Sequence, residues 1–170
     1  HGIKLALGAQ VTDVAQTAVT LADGTVFDTD MTILAIGVAP SSKLAVDAGL
    51  EVNGRKQIVV NDKLQTSDAS IYAIGDVIET NSIIDNRRIN IPLAWPANRQ
   101  GRLVADIISG SEVKYTGVMG TSVLKVCNLT GAATGFSSEF LAMNEIEHES
   151  IHVHKVSHAS YYPGASLLSI

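Results

Sequence analysis

Met31-Thr-Ile-Leu-Ala-Ile36 is an almost unbroken apolar run closed by Gly37. A strand with one wet face alternates apolar and polar residues, whereas a run apolar at nearly every position needs cover on both sides, as in a parallel sheet between helices. The run therefore predicts an α/β architecture. Before it, Gln10–Val14, Ala18–Leu21 and Thr25–Asp28 predict a β-meander, with Asp23-Gly24 as a two-residue hairpin turn. After it, Pro40 and Ser41-Ser42 punctuate the chain, and Ser42–Ala48 predicts a short helix stopped by Gly49. Ile58–Val60 and Ile71–Ile74 predict further strands.

Pro92–Gly110 carries the strongest helical pattern, with Pro96 in its first turn and Gly110 as its stop. Ala97, Gly101, Val104, Ala105 and Ile108 share one face at helical spacing, and Gly101 would let that face press on a neighbouring backbone. Thr121–Leu129 then predicts a strand with Cys127 inside it as a buried structural thiol. Ser138–Met143 predicts a helix, Ile151–Val156 a strand, and Tyr162-Pro163-Gly164 a turn.

Composition narrows the function classes. The 170 residues are 46% hydrophobic, enough for a packed core. Lys+Arg 12 against Asp+Glu 17 gives a net charge of -5, which offers no basic field to nucleic acid or anionic lipid. The apolar runs are strand-length, short of the ~20 residues a membrane helix needs. A soluble, cytoplasmic protein is expected, and a lone cysteine suits a reducing compartment. His1 in place of an initiator Met, and a final apolar run without a cap, predict a chain cut at both ends.

Thr66-Ser-Asp-Ala-Ser-Ile-Tyr-Ala-Ile-Gly-Asp76 delivers a glycine and a carboxylate at the end of an apolar segment. Parallel sheets place ligands at such strand ends: glycine permits close backbone approach and aspartate accepts hydrogen bonds from hydroxyls. An Asp-stabilised turn is the bland alternative. The order of segments decides between them. Ala35–Ala45 (AIGVAPSSKLA), then Thr66–Asp76, then Ile91–Ile108 (IPLAWPANRQGRLVADII) closely resembles the FAD-dependent pyridine nucleotide-disulfide oxidoreductases. Thr66, Ile71, Tyr72, Ala73, Gly75 and Asp76 match that family's second flavin motif, T-x-x-x-I-Y-A-x-G-D. Pro96–Arg102 (PANRQGR), Gly120–Val126 (GTSVLKV) and above all Ser157–Ala165 (SHASYYPGA) resemble the branch of coenzyme A disulfide reductases, persulfide reductases and NADH oxidases.

The resemblance implies α/β architecture: residues 1–38 as the end of an NAD(P)H-binding parallel-sheet domain with its β-meander, 39–112 as the later part of an FAD domain, and 113–170 as the start of an α+β interface (dimerisation) domain. It implies FAD, with NAD(P)H as donor, a homodimer, and a small disulfide or persulfide substrate, coenzyme A disulfide foremost. Asp76, after Gly75, would bind the ribityl chain; Leu93, Ala94 and Trp95 at a positive helix start would bind the flavin ring and favour its reduced anion. The family usually has a small residue, commonly Gly, at the position of Trp95. Tyr161 and Tyr162 are the catalytic candidates: a phenol stays protonated at neutral pH and can donate to a thiolate, and the family sends this loop to the partner subunit's active site.

No two of the 14 glycines stand two residues apart, so neither G-x-G-x-x-G fingerprint is present. The resemblance places those fingerprints and the redox cysteine in a preceding segment. His152 and His154 would share a strand face, yet no third spaced ligand accompanies them and no metal is expected. His158 lies in the tyrosine loop and could order it by hydrogen bonding. Two alternatives stand beside disulfide reduction: an NADH oxidase or peroxidase acting on oxygen or peroxide, and, for the isolated chain, a non-catalytic structural or dimerisation module.

Overall fold

A computed structural model describes residues 2–170, which divide at Ala39/Pro40 into two compact units. The first unit is an antiparallel meander of β1 (Val11–Val14), β2 (Ala18–Leu21) and β3 (Val26–Asp28) in the order β1-β2-β3. The turn after β2 is one residue longer than its Asp-Gly pair predicts. Leu21 N–H donates to Thr25 O at 2.9 Å and Gly24 N–H to Leu21 O at 3.0 Å, making Ala22–Gly24 a three-residue connection with Gly24 at φ 85°. Met31–Ile36 forms no strand, and Ile36 is 89% exposed. A strand exists only by pairing, and no described segment of this unit pairs with the run.

The second unit opens with α1 (Lys43–Asp47), ended as expected by Gly49 at φ 75°. It is followed by β4 (Ile58–Val59), β5 (Ile78–Asn81), β6 (Arg88–Ile89), α2 (Ala94–Ile108), β7 (Ser122–Val126), β8 (Leu129–Ala133), α3 (Ser138–Met143), β9 (His154–Val156) and β10 (Leu167–Ser169). β4 and β5 pair in parallel with Ile58 opposite Ile78, and β6 joins β5 antiparallel. The hairpins β7-β8 and β9-β10 form separate two-stranded sheets. The fold is therefore mixed α/β, with small sheets.

Ala45, Ile58, Val60, Leu64, Ile78 and Tyr115 form the core, with Ala73, Leu103 and Val104 packed against it. Leu64 is fully buried (0% exposed) although its backbone adopts φ 61°. That left-handed geometry costs a non-glycine residue roughly 1–2 kcal/mol, which burial of a leucine side chain, about 1.5–3 kcal/mol, offsets. The turn is held locally: Leu64 N–H donates to Asn61 O, and Asn61 Oδ1 accepts from the amides of Lys63 and Gln65.

Ile71–Ile74 is extended without being a ladder strand; its sole pairing is a bridge from Tyr72 to Gln65. The segment is held by turns, since Thr66 Oγ1 donates to Asp68 O at 3.0 Å and accepts from Asp68 N–H, and Ala73 N–H donates to Leu64 O. Cys127 is also corrected. It stands at the β7-β8 turn with φ 51° and is exposed, because the predicted single strand Thr121–Leu129 folds back on itself there. α3 begins as expected, with Ser137 Oγ accepting Phe140 N–H at 3.1 Å. Arg87, in the β5-β6 connection, lies over the stacked rings of Phe136 and Phe140 at 5.3 and 5.1 Å and donates to Asn144 Oδ1 at 3.1 Å.

Replacing Leu64 by Ala should cost about 2–5 kcal/mol by removing the best-buried side chain of the core. Chemical denaturation should show the fall in midpoint; an unchanged midpoint would mean that this core does not carry the unit.

Candidate cofactor site

The Thr66–Asp76 segment ends in a single 3-10 turn, Gly75–Val77. Gly75 takes φ 82°, which lets the chain swing out of its extended course, and a Cβ built there would stand 3.8 Å from Ala97 Cβ. The Gly75 N–H donates to Gln100 Oε1 at 2.7 Å. Asn90 Nδ2 then donates both to Asp76 O at 2.9 Å and to Ile78 O at 2.8 Å. The backbone of the turn is thus fixed on two sides. The Asp76 side chain is exposed, and among the described residues its carboxylate has no hydrogen-bond partner.

α2 supplies the other half of the site. Its first backbone bond runs from Ala97 N–H to Leu93 O at 3.4 Å, and Leu93 N–H donates to Ile91 O. Pro96 has no N–H, so the amides of Ala94 and Trp95 lie ahead of the helical ladder. No side chain caps this end and no acidic residue occupies the first turn, which leaves the positive end of the helix dipole uncompensated. Ala97 and Gln100, in the first two turns, are the residues that meet Gly75. The structure therefore brings Gly75 and Asp76 to the N-terminal part of the helix that begins at Leu93, Ala94 and Trp95.

The helix presents the first part of the predicted face, with Ala97 against Gly75, Gly101 against Ile74 and Val104 on the core, but not its end. Ala105 and Ile108 are exposed, while Pro96 and Gln100 are buried and Leu103 and Val104 pack on the core. A reading of apolar spacing passes over Gln100, a polar residue only 2% exposed. Gly101 faces the Ile74 side chain rather than a backbone, 3.6 Å from the position of an added Cβ. Trp95 is 75% exposed and borders an open apolar groove of about 860 Å³, lined also by Thr121–Val123, Ala132–Thr134 and Ile170. On β5, Glu79 is pushed up by burial but pulled further down by hydrogen bonds from Asn53 and Arg88 and by the Arg88 charge. It thus ends below its ordinary carboxylate value and helps to brace β6 before Asn90.

A loop Asp fastened to the helix whose Ala94 and Trp95 amides are unpaired can hold a ligand rich in hydroxyls at one end and electron-rich at the other. The chain matches the model of a family described as pyridine nucleotide-disulphide oxidoreductase over residues 1–101, which include this whole arrangement. It belongs to that family. A coenzyme A disulfide reductase of Staphylococcus aureus is 30% identical over 169 residues, covering 99% of this chain and 38% of the relative. An NADH oxidase of Methanocaldococcus jannaschii is 34% identical over 148 residues, covering 87% of this chain and 33% of the relative. The crystal structure of reduced Bacillus anthracis CoADR-RHD superposes with a TM-score of 0.84 at 51% identity, covering 90% of this chain and 28% of that one. The chain thus spans about a third of the length of the curated family members it matches.

The tyrosine pair lies elsewhere in the chain, in the loop between β9 and β10. Tyr161 and Tyr162 are exposed, their ring centroids 5.1 Å apart, and neither hydroxyl has a hydrogen-bond partner among the described residues. His158 Nδ1 lies 3.4 Å from Ala159 O within the loop, and its ring meets Tyr162 edge-on at 6.3 Å. The loop base is closed by Ser157 N–H to Ser166 O at 2.8 Å. His152 falls outside β9, and His154 Nδ1 lies 3.0 Å from Ser169 Oγ. Among the described residues no three His, Cys, Asp or Glu side chains form a group able to hold a metal ion. No described helix is long and apolar enough to cross a membrane.

Because Asn90 holds two carbonyls of the Gly-Asp turn, Asn90→Ala should lower stability by about 1–3 kcal/mol. Asn90→Asp, which exchanges the donor for a negative charge facing both carbonyls, should be at least as harmful. Thermal unfolding checks both, and wild-type behaviour of the Asp variant would remove Asn90 from the site.

Proposed function

We propose that this chain forms part of the flavin site and of the subunit interface in a homodimeric, cytoplasmic FAD enzyme that uses NAD(P)H to reduce a small disulfide. Coenzyme A disulfide, named in the S. aureus relative, is the proposed substrate. In this reading residues 1–38 close the NAD(P)H domain, 39–112 complete the FAD domain and 113–170 begin the interface domain. The observation that carries the proposal is the Gly75-Asp76 turn fastened to α2 by the Gly75–Gln100 hydrogen bond.

The residues present fit the cofactor. Asp76 has a carboxylate free to accept hydrogen bonds from ribityl hydroxyls, and Gly75 keeps the turn close to Ala97. The amides of Ala94 and Trp95, with the backbone of Leu93, offer donors to an electron-rich ring edge, and the uncompensated helix end favours negative charge there. FAD, when bound, takes a hydride from NAD(P)H and passes the electron pair onward. The net reaction converts one disulfide, one NAD(P)H and one proton into two thiols and NAD(P)+. In this reading its redox cysteine comes from outside these residues, as the family resemblance implies, and Cys127 at the exposed β7-β8 turn takes no part.

Tyr161 and Tyr162 serve the thiol half of that reaction by donating a phenolic hydrogen bond to developing sulfur anion in the partner subunit. Their exposure, their free hydroxyls and the exposed apolar residues Ile151, Leu167 and Ile170 on the same segment support a loop that meets further protein. A second reading, reduction of oxygen or peroxide, rests on the M. jannaschii NADH oxidase and on the exposed Trp95 at the proposed ring edge.

The deciding experiment is anaerobic NAD(P)H consumption by the complete protein with coenzyme A disulfide, with released thiol assayed in the same samples. Thiol formed in step with cofactor oxidation is expected; activity that returns only with oxygen or peroxide would transfer the assignment to the second reading. Replacing Tyr161 and Tyr162 together by Phe should slow disulfide turnover by about 10²–10³-fold, the scale of losing a transition-state donor, while leaving flavin reduction by NAD(P)H intact in stopped flow. Asp76→Ala should weaken FAD retention about tenfold or more, the scale of hydrogen bonds to a charged acceptor, as read by flavin fluorescence on dilution.

A further inference from the structure

Gln100 is one of four side chains in the described chain with essentially no exposure, and the others are Leu64, Ile78 and Ser82. A buried carboxamide is costly unless bonded, and on α2 it lies between residues that pack on the core, Leu103 and Val104, and the contact of Gly101 with Ile74. Its carbonyl oxygen accepts the Gly75 N–H at 2.7 Å, at the short end of the usual N–H···O range. Gly75 depends on this bond as much as Gln100 does. At φ 82° its N–H points out of the extended run that precedes it, and no backbone carbonyl of the described chain accepts it.

The bond has a geometric role. The Asp76 carboxylate and the free amides of Ala94 and Trp95 belong to different elements, and a single ligand can use both only if the turn keeps a fixed register along α2. Gln100 stands seven residues after the N-cap Leu93, about 10 Å along the axis at the helical rise. Asn90 fixes the turn to β5 and β6, and the Ala97 contact restricts its approach, but among the described residues Gln100 alone ties it to α2 through a directional bond.

Resting on the flavin reading above, we infer that Gln100 is a positioning residue for the riboflavin half of FAD: by accepting the Gly75 N–H it sets the Asp76 carboxylate in register with the helix-start amides. Gln100 acts through Gly75 and touches no reacting atom in this scheme. The role demands an acceptor at a fixed reach. Gln100→Leu keeps the volume and removes the acceptor; Gln100→Asn keeps the carboxamide but draws it back by one methylene; Gln100→Glu keeps an oxygen at the original reach.

The test uses the complete protein as apoprotein, titrated separately with FAD and with ADP, which contains none of the ribityl chain or ring. Gln100→Leu and Gln100→Asn should each weaken FAD binding by ten- to a hundredfold and leave ADP binding within about threefold, following the cost of an unsatisfied buried donor. Gln100→Glu should recover most of the FAD affinity. Val104→Ala, a core-packing change on the same helix, should lower the melting temperature without separating the two ligands. Equal weakening of FAD and ADP, or FAD binding unaltered in both acceptor-deficient variants, overturns the inference. Should Gln100→Leu fail to fold, Gln100→Asn and Gln100→Glu still decide it. Failure of the wild-type protein to bind FAD would instead defeat the flavin reading on which the inference rests, so the two failures are distinct.

Discussion

The parallel pairing of Ile58 with Ile78 is the contact on which the second unit turns. It is only two residues long, and backbone hydrogen bonds of that number would not hold two segments twenty residues apart against the entropy of closing the loop. Burial supplies the difference. Ile58 and Ile78 share their cluster with Leu64 and Tyr115, and Leu103 and Val104 of α2 close over it. The cluster therefore fixes where β5 begins, and the Gly75–Val77 turn immediately before β5 inherits that position. Chemistry proposed for Asp76 thus depends on packing by residues that carry none of it.

The elements best read from sequence were those whose determinants are local. α2 has its proline in the first turn and its glycine stop, and Gly110 takes φ 93° after the C-cap Ser109. α1 and its Gly49 stop behave alike, and α3 has the bounds its pattern predicts. The strand readings failed where pairing partners were needed. Met31–Ile36 has the composition of a doubly covered strand but no partner in its unit, and Ile71–Ile74 is held by hydrogen bonds of a turn instead of a ladder. Cys127 was misplaced for a related reason: an apolar run reads as one strand until its register, Val126 opposite Leu129, shows that two strands meet there.

The candidate site divides in the same way. Gly75 and Asp76 were singled out by the order of motifs around them, since a glycine and a carboxylate after an apolar segment suit an ordinary turn equally well, and the start of α2 was marked by Pro96. Gln100 and Asn90 were not. Both are polar residues whose importance lies in a partner distant in sequence, and a hydrophobic periodicity assigns a polar position to solvent by default. Only the fold reveals that Gln100 faces inward.

Arg87 gives the architecture a further property. Its guanidinium spans from Asp85 in its own connection to the Phe136–Phe140 stack and Asn144 around α3. Three residues later in the same short segment, Asn90 grips the Asp76 carbonyl. The two-residue β6 thus stands between the Arg87 contacts around α3 and the Asn90 bonds to the Gly-Asp turn, so that a change in one lies within four residues of the other.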